Sequence, residues 1–160
     1  HPQRLVDVAR RWMRGATPQR RWIVGHALRS AVKRADPGAL AVMGFGVGTP
    51  VRLRAVSIAP ARPRLGGAVT IGFELHNASG RPQRVLADLR VHFVKSSGGT
   101  GAKVFKLKAV TLEPGDRVAL RKTISLAPLT TRKHYAGQHR VEALLNGESR
   151  TLGSFELRSA

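Results

Sequence analysis

The spacing of apolar residues changes once along the chain, near residue 47. Before it they recur at helical intervals, and after it they alternate with polar residues. Residues 2–14, PQRLVDVARRWMR, predict a first helix with Leu5, Val8, Ala9 and Trp12 on one stripe. Arg10, Arg11 and Arg14 lie across from them, and Gly15 ends the segment. Residues 18–37, PQRRWIVGHALRSAVKRADP, predict one long helix. Thr17 is its N-cap, Pro18 occupies the first helical position, and Asp36-Pro37 is its stop signal. Val24, Ala27, Leu28 and Ala31 fall on one side of it. Trp22, His26, Arg29 and Lys33 fall on the other, at i, i+4, i+7 and i+11. Asp36-Pro37 opens a short third helix, GALAVMG, closed by Gly44 and Gly46.

From residue 51 the period is two. VRLRAVSIA (51–59) turns Val51, Leu53, Ala55 and Ile58 inward, and AVTIGFELHN (68–77) alternates Val69, Ile71, Phe73 and Leu75. Strands are also predicted at 83–95, 102–112, 116–126, 138–146 and 150–158. Glu113-Pro114-Gly115 splits the fourth from the fifth. Asn146-Gly147 is a strong hairpin signal between the sixth and seventh. Seven short strands with such punctuation predict an all-β sandwich, with Tyr135 tucked into a corner before the sixth strand. Asn77–Gly80 and Ser96–Gly101 read as exposed loops. The expected fold class is therefore α + β in separate segments, residues 1–46 helical and 47–160 a seven-stranded β-sandwich.

So short a helical piece buries its apolar faces only against something else. Two supports are open: earlier units of a helical-repeat array, of which this would be the last, or the β part itself. The absence of a starting Met at His1 favours a processed product or a piece of something longer.

Charge adds a partner class. The chain has 28 Lys plus Arg against 9 Asp plus Glu, a formal net charge of +19. That excess favours acidic partners, nucleic acid or an anionic membrane surface, and says nothing about fold. Residues 1–46 carry nine Lys plus Arg and two Asp, giving +7, which leaves +12 for the rest, so both parts are basic. An aromatic, an imidazole and two cations on one helix face suit a polyanion. A solvated helix face is the alternative, and Trp22 would equally suit packing against a neighbouring repeat.

Other chemistry finds little support. There is no Cys, which excludes disulfides and thiolate metal sites. The six His show no zinc spacing, and no nucleophile elbow or P-loop is present. The glycines of SSGGTG lack the Lys and helix of a phosphate loop. No apolar run reaches the ~20 residues of a membrane span. No metal or cofactor is expected.

The segment RRWIVGHALRSAVKR-x-DPGAL resembles the closing repeat of the AlkC/AlkD-type DNA alkylation repair glycosylases. That family is built from HEAT-like helical repeats, and its AlkC branch includes members with a C-terminal bacterial immunoglobulin-like domain. The resemblance implies a closing HEAT-like repeat over 1–46 and an immunoglobulin-like sandwich over 47–160. It also implies a cytoplasmic, nucleoid-associated bacterial protein acting on double-stranded DNA with alkylated bases of the 3-methyladenine or 3-methylcytosine type. Family catalytic carboxylates lie before an H-P dipeptide, which His1-Pro2 resembles. On that basis the chain holds DNA, contains no catalytic residue and is inactive alone. Asp7, on the basic face, and Asp36, an N-cap, are poor candidates.

The resemblance makes His26 similar to an aromatic position near the lesion and Arg29 to a phosphate-binding arginine. Trp22 and Lys33 extend that face by geometry. Arg20 and Arg21, in the first helical turn, would make an anion site with the helix N–H groups, or else are two solvated arginines. Lys95 and Lys103 flank a small-residue tip able to approach DNA backbone, and Arg52, Arg54, Arg62 and Arg64 are expected to crowd the joint. Together these would let one end of the sandwich clamp the duplex. The competing function is a non-catalytic immunoglobulin-like protein-interaction module with a helical adaptor, its charge serving solubility.

Overall fold

A computed structural model describes residues 2–46, 48–129 and 132–159. Four short helices precede seven strands. The helices are α1 (Pro2–Trp12), α2 (Pro18–Ala27), α3 (Arg29–Lys33) and α4 (Pro37–Val42). The strands are β1 (Val51–Ala59), β2 (Ala68–Asn77), β3 (Gln83–Val94), β4 (Thr100–Leu112), β5 (Arg117–Ser125), β6 (Gly137–Leu145) and β7 (Glu148–Leu157). They form two antiparallel sheets, a three-stranded one ordered β1-β2-β5 and a four-stranded one ordered β4-β3-β6-β7.

The core between the sheets follows the alternation. Val69, Ile71, Phe73 and Leu75 of β2 face Leu89, Val91 and Phe93 of β3 and Val141, Ala143 and Leu145 of β6, all nearly solvent-free. Departures from the expected pattern have local causes. Ala55 does not point inward: it is exposed at φ +52, inside a bulge that shifts the β1–β2 register between Arg54 and Ser57. Asn77 is not a loop residue but is fully buried, donating to the carbonyls of Arg81 and Leu112 and accepting from the Ser79 N–H. Tyr135 is not the corner aromatic and is 37% exposed. Its neighbour His134 is buried instead, against Phe93 at 5.3 Å between centroids. β4 begins at Thr100, so the 96–101 tip is a tighter hairpin than expected, closed by Lys95 N–H to Gly99 C=O at 2.8 Å.

In the helical part, the expected single helix over 18–37 is divided. Leu28 breaks from helical geometry at φ −88, ψ 1, and helix resumes at Arg29. The ladder still crosses the break, with Leu28 N–H to Val24 C=O and Val32 N–H to Leu28 C=O, both 2.9 Å. A one-residue irregularity of this kind leaves apolar periodicity intact, so the pattern could not reveal it. Ala27 is exposed, while Val24, Leu28 and Ala31 are buried as expected. α1 is also rotated from its expected face. Val6 and Ala9 are buried and Met13 packs beside them, whereas Leu5, Val8 and Trp12 are 42%, 40% and 51% exposed. Both sets have helical spacing, and contact with α4 selects the first.

The helices rest on the outer face of the four-stranded sheet. Ala35, Leu40 and Leu144 form a buried cluster, joined by Val32, Phe45, Leu86 and Val104. Of the two supports left open by the sequence, the β part is one that this segment uses. α3 ends on Ala35, held at φ +56 with Asp36 N–H bonded to Ala31 C=O, and Asp36 then caps α4 through Ala39 N–H at 2.9 Å. Gly147, at φ +80, lies beneath this turn. A Cβ built on it would stand 2.4 Å from the Ala35 carbonyl oxygen.

Gly147→Ala should cost at least ~2 kcal/mol, combining left-handed strain with that clash. Urea unfolding of the two proteins tests it, and a shift under a few tenths would contradict the close approach. A second expectation concerns pH. Burial lowers the pKa of His139, opposed by its bond to Gly137 C=O, and burial with the Arg132 and His139 charges lowers that of His134. The unfolded chain then binds protons first, so their contribution is present above the unfolded pKa near 6.5 and lost as pH falls from there through the lowered folded values. Asp88, raised by burial, acts with opposite sign. His139→Gln should therefore lose less stability than wild type between pH 7.5 and 5.5 in matched urea melts.

Candidate nucleic-acid interface

The face nominated on α2 and α3 is open to solvent. Trp22 is 71% exposed, and His26, Arg29 and Lys33 are exposed as well. One turn apart, the Trp22 and His26 rings stack, with centroids 5.5 Å apart and planes 11° from parallel. Their backing is the buried Val24, Leu28 and Ala31. The division at Leu28 puts Arg29 and Lys33 on α3 while Trp22 and His26 sit on α2. No acidic side chain pairs with Arg29 or Lys33 among the described residues.

Arg20 and Arg21 are exposed in the first turn of α2. Thr17 Oγ1 accepts from the Arg20 N–H at 3.2 Å, so the cap already satisfies one donor that an anion would use. Asp7 is exposed and lies 3.5 Å from Arg10.

The other nominated cations divide between the two ends of the sandwich. Arg52 and Arg54 open β1 at the helical end, where β1 pairs with the end of β2. Lys95 and Lys103 lie at the opposite end, on the β3–β4 hairpin, with Lys103 Nζ 4.7 Å from the Phe105 ring centroid. Arg62 and Arg64 also sit there: Arg64 bridges Arg158 beyond β7, and Arg62 pairs with Glu156 at 3.3 Å. The expected crowding of all four arginines at the joint is corrected. Topology separates them, because β1 carries the chain the full length of the sheet between Arg54 and Arg62. Asp88 on β3 and Lys95 are seven residues apart, about 23 Å along a strand.

Several polar groups fasten the helices to the sheet. Lys106 Nζ donates to the Val32 carbonyl at 2.9 Å and to Asp88 Oδ2 at 3.2 Å, and burial raises the Asp88 pKa against that pairing. Arg84 lies 4.7 Å over the Phe45 ring, and Arg150 donates to the Thr49 carbonyl at 3.3 Å. On the same outer face, Glu142 accepts from Arg90 and Ser149 and contacts His92. Burial opposes its ionisation, but those bonds outweigh it and hold the carboxyl at about 2. These residues carry no signal in the sequence, since each is an ordinary alternating polar position until the strands pair. Among the described residues no group of three or more acidic or His side chains could hold a metal ion.

An exposed recognition face should be separable from folding. Trp22→Ala is expected to change unfolding free energy by no more than ~0.5 kcal/mol, read by chemical denaturation. A loss of 2 kcal/mol or more would make Trp22 a packing residue.

The model of the C-terminal Ig-like domain of the uncharacterised protein YhaZ matches residues 52–159. The uncharacterized protein YhaZ of Bacillus subtilis (strain 168) is 32% identical over 157 residues, covering 98% of this chain and 43% of that protein. Among solved structures, the Pseudomonas fluorescens alkylpurine DNA glycosylase AlkC, bound to DNA containing an abasic site analog, is similar at TM-score 0.85 and 38% identity. The match covers 99% of this chain and 44% of that one. A Listeria innocua β-glucosidase, at TM-score 0.56 and 16% identity over 71% of this chain, shares the fold alone. The chain thus spans less than half the length of the first two. With two thirds of its residues inside the matched model, the chain belongs to the family of the YhaZ C-terminal Ig-like domain.

Proposed function

We propose that this chain is the DNA-holding part of an alkylated-base DNA glycosylase. Residues 1–46 serve as the closing HEAT-like repeat and 47–160 as the Ig-like domain, and duplex DNA is held against catalytic repeats outside the matched region. The observation that carries this reading is the 38% identity, over 99% of the chain, to a glycosylase whose structure was solved bound to DNA. The bare Trp22–His26 stack with Arg29 and Lys33 beyond it supports it, since nothing among the described residues occupies that face.

The division of labour follows from the chemistry. A cationic alkylated base is already a good leaving group, so the reaction needs carboxylates that stabilise an oxocarbenium-like sugar and orient water. Asp7 is paired with Arg10 and Asp36 is spent capping α4. The contribution of this chain is positional: Arg29 and Lys33 neutralise phosphates, while the flat Trp22–His26 surface packs on the sugar-base edge. Arg20 and Arg21 extend the cationic face along α2. Lys95 and Lys103, at the far end of the sandwich, contact the duplex only if it runs the length of the domain. The substrate class is duplex DNA bearing 3-methyladenine- or 3-methylcytosine-type lesions, in a bacterial cytoplasmic, nucleoid-associated setting. Among the described residues, no helix is long and apolar enough to cross a membrane.

Binding should be directed at the backbone and insensitive to sequence. Three to five phosphate contacts give a slope of log K against log salt of roughly −3 to −5. Arg29→Glu with Lys33→Glu should weaken duplex binding at least tenfold, measured by fluorescence anisotropy of a labelled duplex. Unchanged binding would favour the adaptor reading, in which the charge serves solubility. The chain alone should release no base from methylated duplex.

A further inference from the structure

A second cationic site lies at the helical end of the sandwich, on the seam between the edge strands β1 and β7. A groove there is lined by Val51, Leu53, Arg52, Arg54 and Arg150. Arg52 and Arg54 sit two residues apart on β1, so their Cα atoms are about 7 Å apart along an extended strand. Arg150 approaches from β7 and is oriented by its bond to the Thr49 carbonyl. Thr49 also lines the groove. It is only 7% exposed, and its Oγ1 has no hydrogen-bond partner.

None of the three guanidiniums has an ion-pair partner among the described residues. Two acids on adjoining positions have other partners within reach. Glu74, across from Arg54, lies 3.8 Å from Arg117, and Glu148 accepts from the Gly48 N–H. Three arginines lining one groove, with a buried hydroxyl that lacks a partner, fit a tetrahedral oxyanion. Guanidinium forks grip two of its oxygens at once, and a threonine hydroxyl, turned about χ1, takes another.

We propose that Arg52, Arg54 and Arg150, with Thr49, form a phosphate-binding site on the Ig-like domain. Its occupant is a phosphodiester of the duplex, or a free phosphate of the same chemistry. The duplex source rests on the function proposed above, whereas phosphate binding itself does not. The site adds a point of attachment to the DNA backbone beside the joint, separate from the helix face and from the distant Lys95 hairpin.

Two measurements on the 160-residue chain test it. In the first, inorganic phosphate is titrated while backbone amide shifts are followed by NMR. Saturable shifts at Thr49, Arg52 and Arg150 are expected at millimolar phosphate. They should be lost in Arg52→Ser/Arg54→Ser and weakened several-fold in Thr49→Val, with thermal midpoints unchanged. No saturable shift at these residues overturns the site. In the second, duplex binding is measured across salt for Arg52→Ser/Arg54→Ser and for a control of equal charge loss, Arg121→Ser/Lys122→Ser. The groove pair should reduce the salt slope by roughly 2, at about 0.9 for each phosphate no longer neutralised, and the control by much less. Equal reductions would mean a diffuse field and overturn the duplex assignment. If wild type shows no duplex binding, the proposed function fails while the phosphate titration still decides the site; phosphate shifts without a slope change leave free phosphate as the occupant.

Discussion

The Asn146 side chain is where the two parts of the molecule are tied. Its Oδ1 accepts from the Leu86 N–H at 2.8 Å, and its Nδ2 donates to the carbonyls of Gly46 at 2.8 Å and Arg84 at 3.1 Å. One buried amide thereby satisfies the start of β3 and the segment leaving the helices. Gly147 beside it leaves room for the Ala35 turn. Burial of Ala35, Leu40 and Leu144 closes the joint. Removing one partner from such a network would leave buried polar groups unsatisfied, costing ~1–3 kcal/mol each. Both turns meeting here use left-handed residues, Ala35 and Asn146, so local strain is balanced by tertiary packing.

That attachment explains which surfaces remain free. The sheet takes the Ala35–Phe45 side of the helical part, and α4 takes Val6 and Ala9 of α1. Left uncovered are the Leu5, Val8 and Trp12 side of α1 and the Trp22, His26, Arg29 and Lys33 side of α2 and α3. The first is apolar and suits a protein neighbour; the second is cationic and aromatic and suits a polyanion.

The sheet face that receives the helices carries two buried carboxylates. Asp88 sits at 0% exposure with a raised pKa, retained by Lys106, which also reaches the Val32 carbonyl. Glu142 shows the opposite balance, because three side chains donate to it or contact it and keep it ionised. A lone bridging lysine and a three-partner carboxylate differ in how far hydrogen bonding offsets desolvation. The lysine couples the helix to the sheet, and the glutamate staples β3, β6 and β7 together.

What the amino-acid order determined by itself was local. Period-two alternation placed all seven strands, since one buried face demands it, and the Asn146-Gly147 turn and the Asp36-Pro37 cap were legible because their backbone chemistry is carried by the residues themselves. The cationic face of α2 and α3 was legible for the same reason. The tertiary structure decided the rest. Which of two equally spaced stripes of α1 is buried depended on α4. The bulge at Ala55 and the exposure of Tyr135 depended on how the strands close. The nominated arginines parted to opposite ends because β1 runs the length of its sheet. Asn146, Lys106 and Arg150 gained their roles from partners between 18 and 101 residues away in sequence, separations that no local pattern encodes.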